Sequence, residues 1–171
     1  MTSDPVSPAA GGRCALRETL GRYATGVTVV TAAHRGRAAG VTVNSFTSVS
    51  LDPPLVLWCL HRASRNLSLF VAAGSFAVNV LGSAQRDLAA RFAGPVERFH
   101  GVPLRPGPHP MPLLADTVAT LVCSLARVVP AGDHVVLIGE VVDHRASPGP
   151  PLLFHDGAYV AARPPASGAR P

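Results

Sequence analysis

Thr42, Asn44, Ser45, Thr47, Ser48 and Ser50 place six short hydrogen-bonding side chains within nine residues. Hydroxyls and amides of this size bond to backbone or to a ligand without adding charge or bulk. Between packed strands they suit a flat ligand with polar edges. The same residues equally make an ordinary Ser/Thr-rich turn that satisfies itself, and local chemistry leaves both readings open. A second group, His61-Arg62-Ala63-Ser64-Arg65-Asn66, precedes a helical pattern at Leu67, Leu69, Phe70 and Val71. Ser64 is the expected N-cap. Free N–H groups at a helix start, with Ser64, Arg65 and Asn66, suit a phosphate; a plainly capped helix with a solvated Arg65 fits as well. Arg91 is either a further phosphate ligand or a solvated cation favoured by a helix C-terminus. His134 follows Gly132-Asp133 at a strand start, and read locally it is a polar residue at a strand edge. Tyr159 is placed to stack at a pocket mouth or simply to pack. Pro108-His109-Pro110 reads as a stiff turn.

No histidine forms a His-x-x-x-His or His-Glu-x-x-His set, and Cys14, Cys59 and Cys123 make no Cys-x-x-Cys pair. No metal site is expected. An odd cysteine count argues against a disulfide frame. Cys59 and Cys123 fall in apolar strands, where cysteine behaves as a small hydrophobe.

These groups need elements to position them. Gly40–Val43 is an apolar strand that delivers the polar run Asn44–Ser50. Asp52-Pro53-Pro54 breaks the ladder because proline has no N–H to donate, and Leu55–Leu60 is a second buried strand. Upstream, Leu16, Leu20 and Tyr23 recur at helical spacing, giving a helix over about 14–23. Val27–Ala33 is a β-branched strand, and Arg37–Val43 returns antiparallel after the Arg35-Gly36 turn. Downstream come a strand over Ser75–Leu81, a helix over about 83–92, and a Gly/Pro-rich surface loop over 93–112. Leu113–Asp116 leads into a long strand, Thr117–Val129. Pro130–Asp133 turns the chain, and His134–His144 returns. Gly139 in its middle marks a bulge or a close backbone approach. Leu152–Phe154 and Ala158–Ala161 form a last pair. Residues 1–12 and 163–171 are expected to be disordered tails around a folded unit at 13–162. Closely spaced hairpins without alternating helices exclude a doubly wound sheet. The fold class expected is mainly β with short helices, as an antiparallel barrel.

The run GVTVNSFTSVSLDPPLV (40–56) resembles the signature of the flavin reductase-like family. The resemblance continues, in the family's order, through LRETLGRYATGVTVVTA, SFAVNVL, DLAARFAG, GDHVVLIGEV and PLLFHDGAYV, over about residues 14–162. It implies a split β-barrel of the FMN-binding type, usually a homodimer. It implies an NAD(P)H:flavin oxidoreductase that passes hydride from NADH or NADPH to FMN or FAD and supplies reduced flavin to a separate monooxygenase. Thr42, Asn44, Ser45, Thr47 and Ser48 then fall to the isoalloxazine and ribityl portions, with Phe46, Cys59 and Phe92 in the same cofactor site. Ser64, Arg65 and Asn66 fall to the phosphate end, with Arg91 in reserve; Asn66 stands where the family often has Thr. His134 becomes the catalytic candidate, docking or orienting the nicotinamide, with Asp133 and Tyr159 beside it; Asp133 also shapes the turn. The 93–112 loop corresponds to a mobile segment near the flavin. No Gly-x-Gly-x-x-Gly follows a strand, so a Rossmann unit would not hold the nicotinamide. An FMN-binding module without turnover, or an enzyme reducing another acceptor with bound FMN, is the alternative. The intact Gly132-Asp133-His134 favours catalysis, and the lack of an added substrate domain favours the simple reductase.

The 171-residue chain suits one domain with a real core. Apolar content of 47% against 15% charged residues implies much buried surface, a subunit interface included. All 15 basic residues are Arg, and they are dispersed, so the net charge of +5 marks no nucleic-acid patch. The nine aromatics are not interleaved with basic residues as a single-strand-binding barrel would have them. No apolar run reaches the roughly 20 residues of a membrane span. MTSDPVSPAAGG lacks the basic start and apolar core of a signal peptide, so the expected location is cytoplasmic with no membrane partner.

Overall fold

The computed structural model describes residues 10–94 and 99–162. The expected C-terminal tail and most of the N-terminal one lie outside these residues. The first helix among the described residues, α1 (Ala10–Gly21), starts before the expected 14, takes in the end of the expected tail and stops short of the expected 23, leaving Tyr23 beyond it. Then follow β1 (Thr25–Gly26), β2 (Thr28–His34), β3 (Arg37–Val43), β4 (Thr47–Leu51), β5 (Pro54–His61), α2 (Leu67–Ala73) and β6 (Ser75–Val80). A 3-10 turn at Ser83–Gln85 runs into α3 (Arg86–Ala93). The rest is β7 (Leu104–Arg105), β8 (Leu113–Leu114), β9 (Ala119–Ala131), β10 (His134–Ala146), β11 (Leu152–His155) and β12 (Ala158–Ala161).

Seven strands form one antiparallel sheet in the order β3-β2-β6-β9-β10-β5-β4. Its edges, β3 and β4, are joined by only three residues, 44–46. β1, β11 and β12 make a smaller sheet. β2 shows why the sheet is covered on both sides. Its side chains alternate between faces. Val30 and Ala32 join a core with Trp58, Phe70, Phe76, Val78 and Leu137. Val27, just before the strand, and Val29 join a second core with Leu81, Ala89, Phe92, Leu114 and Leu152. Asn79 is the polar pin between them. It is fully buried, donates to Val29 O at 2.9 Å and accepts the Leu114 N–H at 3.0 Å.

The β9–β10 hairpin is the longest feature, and Gly139 has both properties expected of it. The ladder shifts register between Ile138 and Gly139, where Ala126 is skipped on β9. A Cβ at Gly139 would sit 2.5 Å from Phe76 Cζ and 2.9 Å from Cys123 Cβ.

Three local expectations are corrected. The polar run is not simply a Ser/Thr-rich turn, because Thr47–Leu51 pairs with β5 as a strand. α2 begins at Leu67 with Asn66 at the N-cap, not Ser64; Ser64 Oγ instead accepts the Asn66 N–H at 3.3 Å. Within the expected 93–112 loop, β7 pairs with β8, Arg105 opposite Leu113. Among the described residues no helix is long and apolar enough to cross a membrane.

Candidate functional site

The site is built where the sheet's two edges approach. Unpaired sheet edges leave rows of N–H and C=O groups open, and the polar run lies between them. Thr42, at the end of β3, is tied inward: its hydroxyl donates to Ala89 O of α3 at 2.7 Å. Ser45 closes the seam. Its Oγ accepts the Cys59 N–H at 2.9 Å and reaches Cys59 O at 3.4 Å, standing in for a ladder partner beyond the start of β4. Cys59 itself is half-buried beside that oxygen, and Phe46 packs against the first core. Asn44, Thr47 and Ser48 are exposed. Among the described residues Thr47 Oγ1 makes only a 3.4 Å contact to Ser48 O. Thr42, Val43 and Asn44 line a cavity of about 180 Å³ with Val27, Phe154 and Tyr159. Tyr159 meets Phe154 edge to face at 5.6 Å, and burial pushes its hydroxyl pKa up, so it stays a neutral phenol.

A cluster of two imidazoles and a carboxylate stands at the turn between β9 and β10. His134 Nδ1 is 2.7 Å from Asp133 Oδ1. His61, at the end of β5, pairs directly across the ladder with His134, and the two rings meet edge to face at 5.1 Å. His61 Nε2 lies 4.0 Å from the other carboxylate oxygen. The hydrogen bond from His134 is the main influence holding the Asp133 carboxyl below the usual carboxylate range. The turn is braced from β5: Arg62 N–H donates to Asp133 O at 2.9 Å, and the Arg62 guanidinium reaches Gly132 O at 3.4 Å.

Cys59 lies opposite Val136, two residues from both His61 and His134. Ser45 and the imidazole pair are therefore roughly 7 Å apart along one ladder, by the rise of an extended strand. The structure thus gathers Ser45, Cys59, Asp133 and His134 at one place, and Thr42, Asn44 and Tyr159 at the adjoining cavity. Ser64 and Asn66 are half-buried just beyond His61, and Arg65 is exposed. Phe92 is fully buried, packing edge to face with Phe99 at 5.1 Å, so its ring faces no open surface. Arg91 is exposed and donates one guanidinium N–H to His100 O at 2.9 Å.

His61 was not singled out in the sequence. The signal was available: an apolar strand ending in His-Arg, and a hairpin turn Gly-Asp-His that must pair with some strand end. A roomier cleft of about 580 Å³, lined by Arg105, Arg145, Asp116 and Thr117, contains none of the expected site residues. It opens near the far end of β10, eleven residues from His134, so size and chemistry point to different places. The chemistry decides, because polar groups converge at the seam and the imidazole cluster.

A seven-stranded antiparallel sheet with a split between its edges, a polar run in that split and an imidazole cluster beside it describe a split barrel. The flavin reductase like domain matches residues 20–163, and the chain belongs to this family. It is 45% identical over 165 residues to a probable flavin reductase of Rhizobium meliloti, covering 95% of this chain and 51% of that protein. The chain therefore spans about half the length of that relative. It is 38% identical to the reductase subunit HsaB of a flavin-dependent monooxygenase of Mycobacterium tuberculosis, covering 86% of this chain and 81% of the other. Among solved structures, the NADH:FAD oxidoreductase SgcE6 of Streptomyces globisporus, in complex with NAD and FAD fragments, superposes with a TM-score of 0.87. That match has 38% identity and covers 96% of this chain and all of the other.

Proposed function

We propose that the chain is an NADH-dependent flavin reductase that supplies reduced flavin to a separate monooxygenase. The observation that carries this reading is the placing of the polar split two ladder residues from the His61–Asp133–His134 cluster. The exposed Asn44, Thr47 and Ser48, beside unpaired edge backbone, fit the polar rim of a flat ring. Bound there, FMN or FAD would supply the ring that accepts hydride.

The protein's own part is positioning. Asn44 and the Thr47 and Ser48 hydroxyls bond the ring edge. Ser45 keeps the seam closed beneath it. Ser64, Arg65 and Asn66 take the phosphate. His134 docks the nicotinamide, and Tyr159 closes the cavity next to Asn44. A cavity of about 180 Å³ is smaller than the roughly 300 Å³ lower bound of ligand pockets, so the ring lies along the open split. A second copy then covers it. Exposed Leu16, Leu20 and Tyr23 on and just after α1, and Leu51 at the β4 end, support a homodimer. The reading takes residues 13–162 as one folded unit. It places the protein in the cytoplasm, where its three free cysteines stay thiols. NADH is preferred to NADPH on the strength of the SgcE6 likeness.

The test is flavin binding by fluorescence quenching, with FMN and FAD separately. Thr47→Val with Ser48→Ala removes two hydrogen bonds of about 0.5–1.5 kcal/mol each and should weaken the preferred flavin about fivefold or more, the melting temperature holding. Unchanged affinity would move the site elsewhere.

A further inference from the structure

We infer that Asp133 sets the tautomer of His134, holding its proton on Nδ1 and leaving Nε2 as an acceptor for the carboxamide N–H of the nicotinamide. The inference rests on the reading of this cluster as the nicotinamide site, but its first half stands on geometry alone.

An ionised carboxylate only accepts hydrogen bonds. A 2.7 Å contact between Asp133 Oδ1 and His134 Nδ1 therefore requires the proton on Nδ1, and its length is that of a charge-assisted bond. A neutral imidazole has one N–H. With that proton on Nδ1, Nε2 carries a lone pair. Among the described residues Nε2 has no hydrogen-bond partner, and the side chain is 44% exposed, so the acceptor is open to a ligand.

His61 has the opposite tautomer. Its Nδ1 accepts the Ala63 N–H at 3.0 Å, which puts the proton on Nε2, and Nε2 is the atom facing Asp133 Oδ2 at 4.0 Å. One carboxylate thus has an imidazole N–H on each side. The edge-to-face contact of the rings, at 75° between planes, limits rotation of His134. The bonds from Arg62 to the Gly132 and Asp133 carbonyls fix the turn that carries the acid. Asp133 is thus a positioning residue: it acts on nicotinamide through His134. A carboxamide has both a donor and an acceptor, so the tautomer decides which way round that group docks.

The test is the ¹⁵N ring spectrum of uniformly labelled protein at pH 8, in which an N–H nitrogen and a lone-pair nitrogen are well separated. Wild type should show His134 with Nδ1 protonated, and Asp133→Asn should move the proton to Nε2. In steady state Asp133→Asn should raise the KM for NADH about tenfold, while kcat and the KM for flavin change less than twofold. Asp133→Glu should restore both the tautomer and part of the KM. Asp133 is largely exposed, so loss of fold is not the expected consequence, and the wild-type spectrum needs no variant at all. An Nε2-protonated His134 in wild type, or an unmoved proton in Asp133→Asn, overturns the inference. A moved proton with an unchanged KM for NADH overturns the nicotinamide reading of the site and leaves the tautomer lock standing.

Discussion

Replacing Ser45 by alanine separates the barrel seam from the ligand surface. Sequence puts Ser45 among the flavin-edge residues, whereas the structure engages its oxygen with both backbone groups of Cys59. The alanine variant leaves the Cys59 N–H without an acceptor. A fully buried unsatisfied donor costs about 1–3 kcal/mol. Cys59 is half-buried, and water can recover part of that, so a loss of about 1–2 kcal/mol follows. The 3.4 Å contact to Cys59 O is long and adds little. For a chain of this size each kcal/mol moves the melting temperature by about 2–4 °C, giving a fall of about 2–8 °C. The assay is a circular-dichroism melt at fixed protein concentration without flavin, since a ligand of the folded state would raise the midpoint itself. Flavin affinity, measured in parallel, should change by less than about threefold, below 1 kcal/mol. Ser45→Thr keeps the hydroxyl and should recover most of the loss. A melting temperature within 1 °C of wild type, with flavin affinity reduced tenfold, would refute the reasoning and return Ser45 to the ligand.

Gly139→Ala should cost about 1–3 kcal/mol by overpacking, because its methyl meets Phe76 and Cys123, both fully buried. A melting temperature equal to wild type would show that the bulge yields. Burial pushes the Cys123 thiol up to about 12, so in native protein at pH 8 a thiol reagent should modify exposed Cys14 and leave Cys123 untouched. Modification of Cys123 without unfolding would contradict its packing. Asp143 is held below the usual carboxylate range chiefly by its 2.8 Å bond to His109. A depressed folded pKa gives stability that is present above the unfolded value, about 3.9, and is lost as pH falls through the folded one. The gap in melting temperature between wild type and Asp143→Asn should therefore narrow below about pH 4. A constant gap from pH 7 to pH 3 would show that the His109 bond does not hold the Asp143 carboxyl down.

Local pattern made the hairpins legible. Alternating β-branched runs around Arg35-Gly36 and Gly132-Asp133 are signals that neighbours supply, and Gly139 stood out because a long strand has no other use for glycine. The polar run was half legible. Its composition marked a special surface, but which oxygens face a ligand depends on partners far along the chain. Thr42 bonds Ala89, 47 residues away, and Ser45 bonds Cys59. The same holds for Arg91 and Phe92, which His100 O and the second core engage from outside α3. His61 went unseen because its meaning arises only from register: β5 and β10 pair so that it faces His134. The spacing of Leu16, Leu20 and Tyr23 predicted the helix, yet Tyr23 lies past its end, and Leu16 at 50% and Leu20 at 64% exposure leave its apolar face uncovered by the other described residues.

The most direct measurement is steady-state oxidation of NADH and of NADPH by purified protein, with FMN, with FAD and without flavin. Turnover with NADH should be negligible without flavin and rise steeply and saturably as one flavin is added. Binding of flavin by quenching, with no NADH or NADPH oxidation at any flavin concentration, would contradict the reductase reading.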